Sequence, residues 1–533
     1  MRPRSMPPPR RTPRHSPLAA FVATLMAVLP VGLLMLLSST SVAEPRTAPA
    51  PSAPRIPAER LAGIPTPGTG GGPIATGPRP QIAVPGPPPS ASRSPALYVA
   101  SDGSDARRGT LADPLATPMR AAAVAQPGTT IFLRGGTYPG FDVTRTGLTF
   151  APYAGESVVI SDPGREDVVH FSAVSSGALR DMTVLGSDVD YGSAIKIEDS
   201  TGVEITGATI RESATWGIVV LRSNGVLLES NDISHTANAI EERYASDLVI
   251  RGNQIHANTT MVDAGRGREG INFYKSTGPV SVIGNFLWDN GTHFEVYGAS
   301  NLTFLDNVTW NGQVMETGTD GPPCDNSRFV RNVGYRGDPP EGSASGMILR
   351  CASNMVVAQN TFDGFDHFAF DIIDGTLGTA YGGSIDGLQV VNNIVVGGRA
   401  FSIDTALPPS VVIDYNLVDN SGSTSEHGKY VAYVAGVGNV RTLAEFTAAT
   451  GYQRHGVHAD PRFVDRDSRD YRLLAGSPAI DRALPIGGAL GGAAPDLGRF
   501  QAGTASRPDC SERENGFASV LRDPTSANRC RPL

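Results

Sequence analysis

Between about residues 177 and 418 the chain repeats one short unit: an apolar strand, an Asn followed by an apolar residue, a polar turn, then another strand. The repeated positions are Asn231, Asn253, Asn285, Asn307, Asn332, Asn360, Asn393 and Asn416. Their spacings of 22, 32, 22, 25, 28, 33 and 23 define a basic turn of about 22 residues carrying insertions. One such turn cannot bury its own apolar face, so successive turns must stack. Side chains alternate inward and outward along each strand, and inward residues then pile on their equivalents one turn away. An Asn at a fixed corner can adopt the left-handed bend and bond the amides of its neighbours, building a ladder up the stack. Propeller blades need roughly 40–45 residues each, and leucine-rich repeats need a regular Leu frame that is absent here. The repeat therefore predicts an all-β chain whose body is a single-stranded parallel β-helix.

The rest of the chain is organised around that body. A basic stretch (Arg2, Arg4, Arg10, Arg11, Arg14) precedes an apolar run from Leu18 to Leu37 and the small residues Ser41-Val42-Ala43. Residues 1–43 read as a signal peptide or a retained anchor, placing the body outside the cytoplasm or at the cell surface. Residues 44–94, rich in Pro, Ala, Gly and Ser, read as a disordered linker. The β-helix is expected over 95–420, a closing segment over 421–500 and a Cys-containing tail over 501–533. Thr442 with Glu445 forms a capping box and Gly451 a stop, so a short helix is expected between them. The four cysteines agree with an oxidising compartment. Cys324 and Cys351 lie about one turn apart, Cys510 and Cys530 would close a loop in the tail, and three pairings are open. A net charge of −8 without a basic stripe argues against nucleic acid as a partner, because phosphate binding needs clustered Lys and Arg. The chain is expected to be a monomer.

The segment Tyr98 to Tyr138, "YVASDGSDARRGTLADPLATPMRAAAVAQPGTTIFLRGGTY", resembles the opening of right-handed parallel β-helix proteins of the pectate-lyase-like superfamily. "DPRFVD" (460–465), "DYRLLAGSPAID" (470–481) and "DLGRF" (496–500) are similar to that group's closing segment. The resemblance spans about 98–500 and implies a right-handed solenoid with an N-terminal capping helix. It leaves activity open, because this architecture hosts lyases, hydrolases, epimerases and non-catalytic spikes.

Aligning "AIKIED", "GIVVLR", "AIEERY", "GINFYK" and "HFEVYG" (194–199, 217–222, 239–244, 270–275 and 293–298) sends Ile195, Ile218, Ile240, Ile271 and Phe294 inward. The outward column then reads Lys196, Val219, Glu241, Asn272, Glu295, with Glu198, Leu221, Arg243, Tyr274, Tyr297 beside it. At roughly 4.8 Å per coil, Glu241 and Glu295 stand about 9–10 Å apart. A face carrying acid, amide, cation and aromatic groups suits a polysaccharide. The insertion "QIHANTTMVDAGRGR" would hang a loop beside it bearing Asp263, Arg266 and Arg268. Arg243, Asn272, His293, Arg266 and Arg268 are the candidate substrate-binding residues. Glu242, Glu316 and Asp371 fall inward in this register, so those coils slip by one residue or the groups are paired or protonated.

The chain uses Arg 41 times and Lys only at 196, 275 and 429. Lys can lose its proton when desolvated, whereas Arg cannot, which makes Lys275 a candidate base. β-Elimination from a uronic acid needs a base at C5 and a charge that neutralises the carboxylate. Lys275 would be the base, Tyr274 or Tyr297 would protonate the leaving oxygen, and Glu241, Glu295 and Asp263 would hold a Ca²⁺ ion. "REGINFYKS" is similar to the strand bearing acidic Ca²⁺ ligands and a catalytic Lys in the alginate-lyase and chondroitinase-B-like family. Val296 stands where that family's catalytic Arg would fall. The expected function is thus a secreted lyase acting on an acidic glycan. The alternatives are an inverting glycosidase using Glu241 and Glu295, and a non-catalytic surface adhesin or glycan-binding solenoid.

Overall fold

The structure, a computed structural model, describes residues 95–502 except 260–267, 337–344, 378–380, 404–405, 422, 424–425 and 486–494. The expected signal or anchor, the linker, Asp263, Arg266, Cys510 and Cys530 lie outside the described residues. Three sheets of 13 strands each wind along the described chain. The first runs from Ala96–Val99 to Val412–Asp414, and the third from Gly136–Tyr138 to Val457–His458. The second runs from Phe141–Val143 to Ala432–Val434, closed by Gly438–Val440. Every pairing between coils is parallel, and only the last strand of the second sheet and the hairpin Phe463–Asp465/Asp470–Leu473 pair antiparallel. The parallel β-helix expected from the repeat is what the chain forms.

The inward stack follows the expected register. Ile195, Ile218, Ile240, Ile271 and Phe294 are successive partners in the second sheet. Met315, Met347, Phe370 and Phe401 continue the column, and all nine are wholly buried. The Asn ladder also forms. Asn253 Nδ2 donates to Asn285 Oδ1 at 2.9 Å and to the Leu228 carbonyl at 2.9 Å, while the Asn253 amide donates to the same Asn285 oxygen. The pattern repeats up to Asn416, whose amide donates to Gln453 Oε1 at 3.2 Å. One detail differs from expectation. The left-handed bend belongs to the residue before each Asn: Ser230, Asp306 and Tyr415 have φ near +56°, and Gly252 and Gly284 occupy the same place. The Asn itself is freed to point its side chain along the stack.

At one end the helix α1 (Pro118–Val124) buries Ala121 and Ala122 with Val99, Leu115 and Ile131. Thr117 caps it by accepting the Arg120 amide at 3.1 Å. Helix α2 (Leu443–Thr450) carries the expected capping box and ends at Gly451 with φ +80°. Beyond it, the closing segment lies on the outer face of the third sheet and, through Leu484, against the first. Ala479, Ala483 and Leu497 cover Ile394, Val396 and Leu417 there, which explains why those outward positions are apolar. Asp363 accepts from Arg466 at 2.6 Å and from the Tyr471 hydroxyl at 2.9 Å.

Candidate functional site

The outward face of the second sheet carries the chemistry. Register pairs Lys196 with Val219, Val219 with Glu241, Glu241 with Asn272, and Asn272 with Glu295, as the sequence alignment expected. The same column then continues through Glu316, Ile348 and Asp371. Glu316 and Asp371 are therefore outward residues, not the inward ones expected. Glu316 follows its corner Asn by nine residues and Asp371 by eleven, against ten for Glu241 and Glu295, so counting strand residues from the turn loses phase there. Glu242 is inward as expected, with no slip. It is wholly buried, accepts from the Ala245 amide at 2.6 Å and from Ser276 Oγ, and burial pushes its carboxyl up to about 8.

His293 is a second correction, for it does not face a substrate. At the start of each strand in this sheet two consecutive residues turn inward: Ala239 and Ile240, then His293 and Phe294, are all wholly buried. Strict alternation misplaces the first of each pair. His293 lies inside the coil with Nδ1 3.2 Å from Asn290 Nδ2, and burial lowers its pKa to about 3, so it stays neutral.

Glu241 is 1% exposed yet well compensated. Arg243 Nε donates to it at 2.6 Å, Asn238 Nδ2 at 3.1 Å and Asn272 Nδ2 at 3.2 Å. The Arg243 guanidinium in turn lies over the rings of Trp216 and Tyr274. Glu295 has no such compensation. Burial, then the neighbouring Glu316 and Glu241, push its carboxyl up to about 7, with Arg350 opposing. Glu316 itself is ion-paired with Arg350. Glu269 was missed by sequence reasoning. It opens the strand after the inserted loop, pairs in register with Thr292, and its buried Oε2 has no hydrogen-bond partner among the described residues. Burial, with Glu295 next, raises it to about 8, and Arg268 beside it opposes that rise. Four carboxyls thus share one face over four successive coils. The signal available for Glu269 and Glu316 was their place in the repeat once insertions are allowed for.

Lys275 stands at the bend that follows the strand, with φ +56°. Its pKa is raised by Tyr274 and by Asp320, whose carboxylate lies 3.0 Å away. That setting favours the ammonium form and works against the base role expected of it. Tyr274 and Tyr297 stack in parallel at 5.7 Å, and burial, then Asp320, push the Tyr297 phenol up to about 12. The Tyr297 phenol is therefore protonated near neutrality. As for Ca²⁺, the donors on Glu241 already satisfy its charge. Among the described residues no three His, Cys, Asp or Glu side chains converge as ligands. Asp263, the third expected ligand, lies outside the described residues. A disulfide joins Cys324 to Cys351, clamping the coils that carry Glu316 and Arg350.

Comparison with known proteins agrees with the fold. A family model described as "Right handed beta helix region" matches residues 193–336. The chain is 23% identical over 431 residues to the uncharacterized protein YwoF of Bacillus subtilis (strain 168), covering 72% of this chain and 92% of that protein. A stretch of 72 residues is 43% identical to pectate lyase PEL9 of Emericella nidulans, covering 12% of this chain and 18% of that enzyme. The solved complex of XylC with xylose superposes with a TM-score of 0.51 at 12% identity, over 69% of this chain and 87% of that one.

Proposed function

We propose that this right-handed parallel β-helix protein is a carbohydrate-active enzyme that hydrolyses a glycan laid along the outward face of its second sheet. The observation that carries the reading is the contrast between two carboxyls on one column. Glu241 is bound by Arg243, Asn238 and Asn272, whereas Glu295 is pushed up to about 7 among other acids. Environments that differ in this way are how one site provides an acid and a base together. Glu295 gives its proton to the glycosidic oxygen as the anomeric C–O bond breaks. Glu241 takes a proton from the water that attacks the same carbon from the opposite face. Two coils separate them, about 9–10 Å at roughly 4.8 Å per coil. That lies at or just beyond the roughly 6.5–9.5 Å spacing of inverting glycosidases. Arg243, Trp216 and Tyr274 offer the stacked polar and aromatic wall that sugar rings favour. The likeness to XylC, solved with xylose, and the short match to a pectate lyase support glycan chemistry by analogy of fold.

A second reading, β-elimination from a uronate, draws on the cluster of Lys275, Tyr274 and Tyr297. Lys275 would then neutralise the uronate carboxylate, and a Ca²⁺ requirement would appear as loss of turnover in EDTA. The test is the purified chain on acidic and neutral polysaccharides, reading reducing ends and ultraviolet absorbance of a new double bond together. Hydrolysis raises reducing ends alone, and Glu295→Gln lowers the rate by about 100-fold or more. Absorbance rising with reducing ends replaces this reading with the lyase. Glycan binding with neither signal replaces it with a non-catalytic surface solenoid.

A further inference from the structure

The carboxyl cluster is not the last unusual chemistry on this face. Arg399 is only 5% exposed, its Nε is buried with no hydrogen-bond partner, and among the described residues no carboxylate forms an ion pair with it. Burial lowers its pKa, with Asp366 and Asp371 opposing that fall. Asp366 is engaged elsewhere, by Arg336 Nη1 at 2.5 Å. A guanidinium withdrawn from water without a paired anion is costly, and proteins seldom retain one without use. Its place is equally specific. The register of Phe370 with Phe401 puts Arg399 next after Phe368 and Ser345 in the column that carries Glu269. The Ala369 amide donates to the Arg399 carbonyl at 2.8 Å, fixing that neighbour relation. Arg399 is thus four coils from the strand of Glu295, about 19 Å along the stack at roughly 4.8 Å per coil. An oligosaccharide bound at the carboxyls and running along the sheet would reach it. His367 is exposed beside it, lying against Phe368 at 4.6 Å and facing the His427 ring at 5.4 Å.

We propose that Arg399 is the centre of a remote anion-binding subsite, with His367 at its mouth, that takes a carboxylate or sulfate of an acidic glycan several sugars from the cleaved bond. The planar fork of Arg matches a carboxylate or sulfate in two parallel bonds, which the orphaned Nε awaits. The inference rests on the glycan-processing reading above and adds the substrate's charge to it.

The experiment is binding calorimetry on the Glu295→Gln chain, which separates recognition from turnover. The probes are an oligouronate long enough to span the face, the same oligomer with its carboxyls reduced to alcohols, and inorganic sulfate. The oligouronate is expected to bind at least about tenfold more tightly than its reduced form. Arg399→Gln should erase that preference, and Arg399→Lys should keep part of it. Equal affinity for the two oligomers, no binding of either, or a preference that survives Arg399→Gln overturns the subsite. Sulfate binding with no preference for the oligouronate overturns it as well, since the site would then serve a free anion. Because the parent comparison needs no Arg399 variant, the test holds even if that variant fails to fold. A failed hydrolase reading would appear separately, as turnover surviving Glu295→Gln.

Discussion

Glu242 shows what one inward acid costs. Its folded pKa of about 8 lies above its ordinary value of 4.5 because burial penalises the charged form. The folded state therefore binds the proton more tightly than the unfolded chain, so this group's contribution to stability is fully present below pH about 4.5. Stability falls as pH rises towards about 8, by on the order of 1 kcal/mol per pH unit at most from this group. Glu242→Gln keeps the acceptor but removes the titration. Melting temperature followed from pH 5 to 8 should decline less in the variant, and an unchanged slope would remove Glu242 as the cause. Glu295 makes the complementary prediction for activity. As the general acid it must hold its proton, so kcat/KM should fall about tenfold per pH unit above about 7. A rate that keeps rising through pH 8 would deny Glu295 that role. Alternation in the sequence already placed Glu241 outward and Glu242 inward. It was silent on their partners, because Asn238, Arg243 and Ser276 reach them through rotamers that a one-dimensional pattern does not carry.

At the scale of the coil, the corner Asn and the residue before it have opposite needs. Asn231 accepts the Ala208 amide at 3.0 Å and donates to the Ile205 carbonyl at 2.9 Å, both buried. Asn231→Ala strands both groups at about 1–3 kcal/mol each. Ser230, exposed and at φ +56°, pays the left-handed penalty that Gly252 and Gly284 avoid one and two coils later. Ser230→Gly should therefore be neutral or stabilising by up to about 1 kcal/mol, against the usual trend for glycine. Urea denaturation of the two single variants checks this, and a destabilised Ser230→Gly would show that the bend is held by something other than φ. The repeat made the ladder legible because one residue type recurs at one corner. The bend was assigned one position late, because Ser, Gly, Asp, Arg, Gln, Asn and Tyr all occupy it and no composition signal marks it. The same limit explains His293. The doubled inward step at the strand start is filled by Ala239, Gly270 and Val314 on neighbouring coils, a pattern too mixed to break the expectation of strict alternation.

For the solenoid as a whole, the ends and the outer faces are managed separately from the site. Coils touch only their neighbours, so the stack is held by a sum of adjacent contacts, and a segment that bridges several coils has unusual leverage. The closing segment is such a bridge. Asp363, almost wholly buried, reaches Arg466 and Tyr471 more than a hundred residues later, and the Asn392 side chain bonds the backbone of Leu484 in both directions at 2.8 Å. The Asp363 contacts lie on the third sheet and Asn392 at its corner with the first, whereas Glu241 and Glu295 belong to the second and Arg399 just precedes a strand of it. Breaking the bridge should then loosen the stack without altering the chemistry. Asp363→Asn removes the charge opposite the half-buried Arg466 guanidinium and is expected to cost about 1–3 kcal/mol, with Arg466 exposure to solvent limiting the loss. Melting temperature should drop, while the pH at which kcat/KM turns over should stay where Glu295 sets it. A shifted pH limb in Asp363→Asn would mean that the third sheet is coupled to the acid cluster through the core, and that the coils move together and not as independent layers.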